Sequence, residues 1–352
     1  MHKRLAVVGA GNAGCISALH FNQYCPDLEI EIYHDSKNTP IERVGQGTVL
    51  NVTELIFNTL NLDWVSNKIG ATVKTGILYK NWGVINDSFF HRFYRGSEMA
   101  MHYTPSKLSE LVLNSSKFKV REQKINDPEK EIDSDFIIDC RGRKAIDKNN
   151  VNKIINPINA ALISSLPKRD ILWTESIATA NGWTFIVPTE NSLSLGYLYN
   201  KNITSEEEAI KDFKDSFGVD EIEYKTTFDN YYATNPFVGE RTLLNGNQYS
   251  FIEPLEATAT GLYEWIARAG YGRFIEKFDK KRCTDVIEKK VKEISNFILW
   301  HYKIKSKFNS PFWNYASSIP FKGIIEPLGE DEEYGQWSKH SFKIWKENTT
   351  VT

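Results

Sequence analysis

Leu5-Ala6-Val7-Val8-Gly9-Ala10-Gly11-Asn12-Ala13-Gly14 stands almost at the start of the chain. Its first four residues form a continuous apolar run, the pattern of a strand buried on both faces of a parallel sheet. A G-x-G-x-x-G follows at once and leads into Cys15–Tyr24, a helical stretch. Gly9 permits a tight turn, Gly11 lets the backbone approach a pyrophosphate, and Gly14 lets the helix pack closely on its strand. The helix N-terminus then faces the anion. Alone the motif is weak; in this strand–turn–helix setting it predicts an α/β dinucleotide-binding (Rossmann-like) fold, with Gly9, Gly11, Asn12, Ala13 and Gly14 at the cofactor.

The second strand, Leu28–Tyr33, should end in an acid that holds a ribose. Here His34 takes that slot and Asp35 follows, so His34 is a candidate contact or a structural strand-end residue. Further on, Asp135-Phe136-Ile137-Ile138-Asp139-Cys140-Arg141-Gly142 has the form of another buried strand ending in Asp and Gly. It resembles the second flavin motif of the two-dinucleotide-fold (GR2-type) flavoproteins, which would bring Asp139 and Gly142 to the cofactor. An ordinary strand with a glycine turn is the alternative. No second G-x-G-x-x-G serves a nicotinamide cofactor, so FAD is expected.

The bulk numbers exclude several classes. The 352 residues carry 43 Lys plus Arg against 45 Asp plus Glu, a formal net charge of −2. That balance does not point to nucleic acid or an anionic membrane. Four cysteines, Cys15, Cys25, Cys140 and Cys283, lie far apart, which suits a reducing cytoplasm and argues against a structural metal site. No apolar run approaches the roughly 20 residues needed to span a bilayer, and no signal pattern precedes the first strand. A soluble, cytoplasmic protein is expected.

Several further segments share one resemblance. Asn181-Gly182-Trp183-Thr184-Phe185-Ile186-Val187-Pro188 is similar to the W-x-W-x-I-P signature of flavin-dependent halogenases. Phe251-Ile252-Glu253-Pro254-Leu255-Glu256-Ala257-Thr258-Ala259 resembles their F-x-[DE]-P-L-E-S-T-G segment, with Ala257 for Ser and Ala259 for Gly. Gly70–Ile77 with Asn81-Trp82 resembles the stretch bearing the catalytic lysine, and Lys74 takes its place. Arg43–Val49 resembles the V-G-E-A-T loop, with Gln46 for Glu. Ser88–Phe93 resembles the H-F-Y-H-x-F stretch, and His301-Tyr302 with Ser310–Trp313 the late helical segment. Six segments follow the family's order from Leu5 to Trp313.

The resemblance implies reduced FAD from a separate flavin reductase, oxygen and a halide ion, which together give hypohalous acid. Lys74 and Glu256 would be catalytic, and Thr258 and Ala259 would hold the halide. His91 and Phe93 would flank a small aromatic substrate. Trp183, Phe185 and Pro188 would form a rigid wall between flavin and substrate. If the position of Ala259 needs a positive φ, alanine would distort the halide loop. The chain after Trp313 is short, like that of phage-encoded members, so an indole, phenol or other electron-rich arene in a smaller or more open pocket is expected rather than free tryptophan. An FAD-dependent aromatic monooxygenase and a flavin-binding protein without turnover are the alternatives.

The expected organisation interleaves an FAD module (1–60, 104–146, 236–275) with a β-sheet substrate module (61–103, 147–235). A C-terminal helical part (276–352) completes it. Val286, Ile287, Val291, Ile294, Ile298 and Leu299 trace a helical face there, and the polar end from Ser338 is expected to fray.

Overall fold

The computed structural model describes residues 3–37, 44–93, 99–329 and 332–349; Arg43 of the V-G-E-A-T-like loop lies outside them. Its first sheet runs in the order Phe237–Val238, Thr242–Leu244, Phe136–Asp139, Arg4–Val8, Glu29–His34, Lys119–Glu122. All neighbours are parallel except the outermost Phe237–Val238. Leu5, Ala6 and Val7 are fully buried because strands flank them on both sides and the 13-residue helix Asn12–Tyr24 covers one face. In register, Val8 pairs with Tyr33 and with Asp139, so the ends of three strands converge on the glycine turn. This is the α/β dinucleotide-binding architecture.

The second sheet has the order Tyr224–Thr227, Ala160–Pro167, Ser192–Tyr199, Gly182–Pro188, Thr174–Thr179, Gly76–Lys80, Ser88–Arg92. It is antiparallel except where Thr174–Thr179 meets Gly76–Lys80. Helix Glu206–Phe217 packs on it through buried Ala209 and Phe213. A capping box between Ser205 and Glu208 starts that helix, and Gly218 in the left-handed region ends it. A small third sheet, Gln46–Gly47, Ala100–Tyr103 and Thr72–Lys74, carries Lys74 on its last strand.

Helix Lys280–Lys303 starts on an Asp279 cap and buries Ile287, Val291, Ile294 and Ile298, the face traced from the sequence. Val286 of that set is partly exposed. The chain end does not fray as expected: Lys339–Thr349 is a helix, with Phe342, Trp345 and Thr349 almost wholly buried. Spacings of three and four put those side chains on one face, and burial of the Trp345 indole outweighs the polar composition around it. Among the described residues no helix is long and apolar enough to cross a membrane.

Candidate active site

The glycine turn is built from backbone alone. Gly9 has φ +103°, and a Cβ there would lie 2.6 Å from the carbonyl oxygen of Cys140. A Cβ on Gly14 would lie 1.8 Å from the Gly9 oxygen, so only glycine lets the helix start this close to the strand. Gly11 caps helix Asn12–Tyr24 in an extended conformation with no side-chain cap, leaving the helix N-terminus for an anion. Gly246 closes on the turn from the other side, where a Cβ would meet Ala13 at 2.5 Å. These features fit a dinucleotide pyrophosphate.

Around the turn, Asn12 accepts a 2.8 Å hydrogen bond from the Tyr103 hydroxyl. His34 ends its strand with Nε2 3.8 Å from Glu122. Asp139 is buried and accepts from Arg141 Nε at 2.9 Å and Nη2 at 2.7 Å. Gly142 has φ +83° and open space where a Cβ would project.

Lys74 is fully buried. Its Nζ donates to the Thr48 carbonyl oxygen at 3.3 Å and lies 4.8 Å from the Phe93 ring centroid. Gly47 passes close by, since a Cβ there would be 2.9 Å from Nζ and 3.6 Å from the Ala257 Cβ. The Gly45–Thr48 loop, Lys74 and the Glu256–Thr258 loop therefore meet at one point. Burial lowers the Lys74 pKa, opposed by the Glu256 charge, to about 7. His102, with Nε2 2.9 Å from Thr174 Oγ1, is held neutral by burial and by the Lys74 charge.

Glu256 has φ +68° and is followed by Ala257 at φ +55°. Two successive non-glycine residues in the left-handed region cost roughly 1–2 kcal/mol each. Packing maintains them, and they turn the Glu256 carboxylate inward. Its Oε1 lies 2.9 Å from His301 Nε2 and its Oε2 3.6 Å from His91 Nδ1. Burial pushes the carboxyl pKa up, but His91 and His301 together hold it well below the usual range. Burial and the Glu256 charge push the neighbouring Tyr79 phenol above its usual value.

The strain forecast for Ala259 falls elsewhere. Ala259 is in the first turn of helix Thr258–Phe274, where any residue fits, and the positive φ values belong to Glu256 and Ala257. Ala257 itself caps that helix without a side-chain hydrogen bond, beside buried Thr258.

Trp183 is buried, and its indole N–H donates to the Tyr302 hydroxyl at 3.0 Å, which donates to Glu253 at 2.8 Å. Burial pushes Glu253 up, against hydrogen bonds from Tyr302, Asn156 and Trp183, to about 7. Phe185 packs against Gly196, where a Cβ would lie 2.1 Å from the tip of its ring, and Pro188 is buried at the strand end. The Trp183 strand is thereby tied to the Glu253–Glu256 segment.

The chain end packs beside these residues. Trp345 is fully buried with its ring centroid 4.1 Å from His301, 4.5 Å from Tyr79 and 4.9 Å from Phe89. Sequence reasoning missed Tyr79, His102, Ser341 and Trp345, and noted His301 only as part of a segment. A signal existed for Trp345 in the helical spacing of Phe342, Trp345 and Thr349; none existed for the others, whose partners are far away in sequence.

A family model described as tryptophan halogenase matches residues 4–127 and 107–348. Tryptophan 7-halogenase KtzQ of Kutzneria sp. (strain 744) is 25% identical over 53% of this chain and 39% of its own length. The chain thus spans about two-fifths of the first curated relatives it matches. The flavin-dependent halogenase Xcc4156 from Xanthomonas campestris has the same fold, with a TM-score of 0.82 and 14% identity over 98% of this chain and 88% of that one. A tryptophan halogenase from Shewanella frigidimarina NCIMB 400 gives a TM-score of 0.82 and 19% identity over 100% and 90%. With a family match over nearly its whole length, this chain belongs to the tryptophan halogenase family.

Proposed function

We propose that this chain is an FAD-dependent halogenase that acts on a small electron-rich arene of the indole or phenol type. The observation that carries the reading is a fully buried lysine, Lys74, whose charge is supported by a buried carboxylate, Glu256. Burying a lysine is costly, and a buried lysine beside a buried carboxylate is a candidate functional site. Gly9, Gly11, Asn12, Ala13 and Gly14 would hold the pyrophosphate of FAD, with His34 at a ribose and Asp139 and Gly142 beside the cofactor. When bound in its reduced form, delivered by a separate reductase, FAD supplies hypohalous acid from oxygen and halide.

The chain's own residues do the rest. Thr258 and Ala259 at their helix N-terminus hold the halide. Trp183, Phe185 and Pro188 keep the arene from the cofactor. His91 and Phe93 flank the arene between Lys74 and Glu256. The Lys74 ammonium donates to the oxygen of hypohalous acid, so that oxygen leaves as water while the arene's π electrons bond the halogen. Glu256 takes the proton that the ring then loses. Residues 61–103 and 147–235 would form the substrate module and the remainder up to 275 the FAD module.

The test is product formation. Protein, a flavin reductase, oxygen, bromide and a panel of indoles and phenols should give a brominated arene that is absent without bromide. Hydroxylated arene independent of bromide would indicate a monooxygenase, and flavin binding without any product a non-catalytic protein.

A further inference from the structure

Helix Lys280–Lys303 presents two neighbouring buried side chains to one turn of the chain. His301 Nε2 lies 2.9 Å from Glu256 Oε1, and the Tyr302 hydroxyl donates to Glu253 Oε2 at 2.8 Å. The two carboxyl groups stand on either side of Pro254 and Leu255. The turn closes through a 2.9 Å bond from the Ala257 N–H to the Pro254 carbonyl oxygen. Its last two residues are the left-handed pair, Glu256 and Ala257.

The Tyr302 hydroxyl is a fixed point. Its ring is fully buried against Trp82, Phe312 and Trp313, with centroids 5.8, 6.3 and 5.9 Å away. The same oxygen accepts from the Trp183 indole N–H at 3.0 Å, and the Trp183 strand is paired on both sides within the second sheet. Glu253 is completely buried, and the groups that hydrogen-bond to its carboxyl are neutral: Tyr302, Asn156 and Trp183. Such bonds are directional, so they locate the carboxyl group. Its backbone N–H is bonded to Asn230 Oδ1 at 2.8 Å. From there the chain has little freedom before the turn. Pro254 has φ −78°, and a residue before proline is disfavoured from helical backbone.

We infer that Tyr302, acting through Glu253, is a positioning residue for the Glu256–Ala257 turn. It holds the left-handed backbone that aims the Glu256 carboxylate and sets the start of helix Thr258–Phe274. Strained residues persist only where the surrounding structure over-determines them, and Glu253 is the anchor on the N-terminal side of this pair. His301 touches the turn itself; Tyr302 fixes its approach. The inference rests on the halogenase reading for its catalytic meaning, but not for the anchoring.

The experiment reads the two separately. Tyr302→Phe keeps the packed ring and removes the hydroxyl. Glu253→Leu removes the acceptor, whereas Glu253→Gln keeps one. Amide hydrogen exchange on the full chain without added FAD reports the anchor. In Tyr302→Phe the Ala257 N–H should exchange about tenfold faster, while the amides of helix Glu206–Phe217 stay as in the parent. Should that variant fold poorly, Glu253→Leu carries the same test. An unchanged Ala257 amide, or faster exchange throughout the chain, overturns the inference.

For the reaction, Tyr302→Phe and Glu253→Leu should each lower kcat about tenfold with arene KM changed less than about threefold. Glu253→Gln should keep most of the parent's kcat. The double variant Tyr302→Phe/Glu253→Leu should be no slower than the slower single variant, because both remove one bond. Losses that multiply, a parent kcat in Tyr302→Phe, or a Glu253→Gln as slow as Glu253→Leu overturns the positioning claim. A parent without halogenated product would defeat the function while leaving hydrogen exchange to decide the anchor.

Discussion

His91 Nε2 lies 3.0 Å from Ser341 Oγ, joining a strand of the second sheet to a helix 250 residues further along. The same ring presents Nδ1 to Glu256 at 3.6 Å. The end of the chain therefore packs against the His91–Glu256 contact, and Trp345, four residues after Ser341, lies beside His301.

Trp345→Ala should lower stability by about 3–5 kcal/mol, the range for deleting a buried aromatic. Denaturant unfolding measures that loss. If the protein still folds, the vacated volume should let bulkier arenes compete with indole. Relative turnover of a bulky and a small arene checks this, and an unaltered ratio would place Trp345 away from the substrate.

Lys74→Met should stabilise the fold while abolishing product. The Lys74 pKa is about 7 when folded and about 10.4 in an unfolded chain. The unfolded chain binds the proton more tightly, so the parent's penalty is full below pH 7 and disappears as pH rises toward 10.4. Methionine removes that penalty, worth on the order of a few kcal/mol at pH 6. Urea unfolding at pH 6 and pH 10 should show the variant ahead at the lower pH and level at the higher. Because the ammonium is the acting form, parent turnover should decline as pH rises through 7.

Gly11→Val should fold normally yet retain no FAD. Gly11 has φ −71° in an extended conformation that valine adopts without left-handed strain, and a branched side chain there would take the space the motif leaves for a pyrophosphate. Flavin absorbance after gel filtration reads this against circular dichroism. Unchanged flavin retention in the folded variant would remove the glycine turn from the cofactor site.

Bromide or iodide should outcompete chloride, and free indole should outcompete tryptophan. Larger halides are easier to oxidise and desolvate, and a buried ammonium and carboxylate of an amino acid would each need a dedicated partner that a free indole does not. Equal concentrations of the halides, followed by mass spectrometry of the products, test the first half. Side-by-side indole and tryptophan test the second.

The fold was legible where local chemistry decides it. An apolar run, a glycine turn and a helix are consecutive, and Gly9 and Gly14 have no room for a Cβ, so the motif and its geometry are one thing. Lys74 and Glu256 stood out in the sequence only through resemblance; their burial and facing arrangement depend on three separate sheets and loops. The left-handed backbone at Glu256 and Ala257 carries no glycine to announce it, which is why the strain was sought at Ala259. His301 reads in sequence as an ordinary residue of an amphipathic helix. Only tertiary packing brings Glu256 to it. The chain end was misjudged because its lysines and polar residues mask three buried side chains spaced for one helical face.

The central claim is that Lys74 acts on the electrophile after the flavin chemistry is complete. The direct measurement compares parent and Lys74→Met with a flavin reductase, oxygen, bromide and indole, in the presence of a scavenger of free hypohalous acid. The parent should yield brominated indole, whereas Lys74→Met should consume reduced FAD at the same rate and yield none. Equal yields of brominated indole from both proteins under the scavenger would contradict the account.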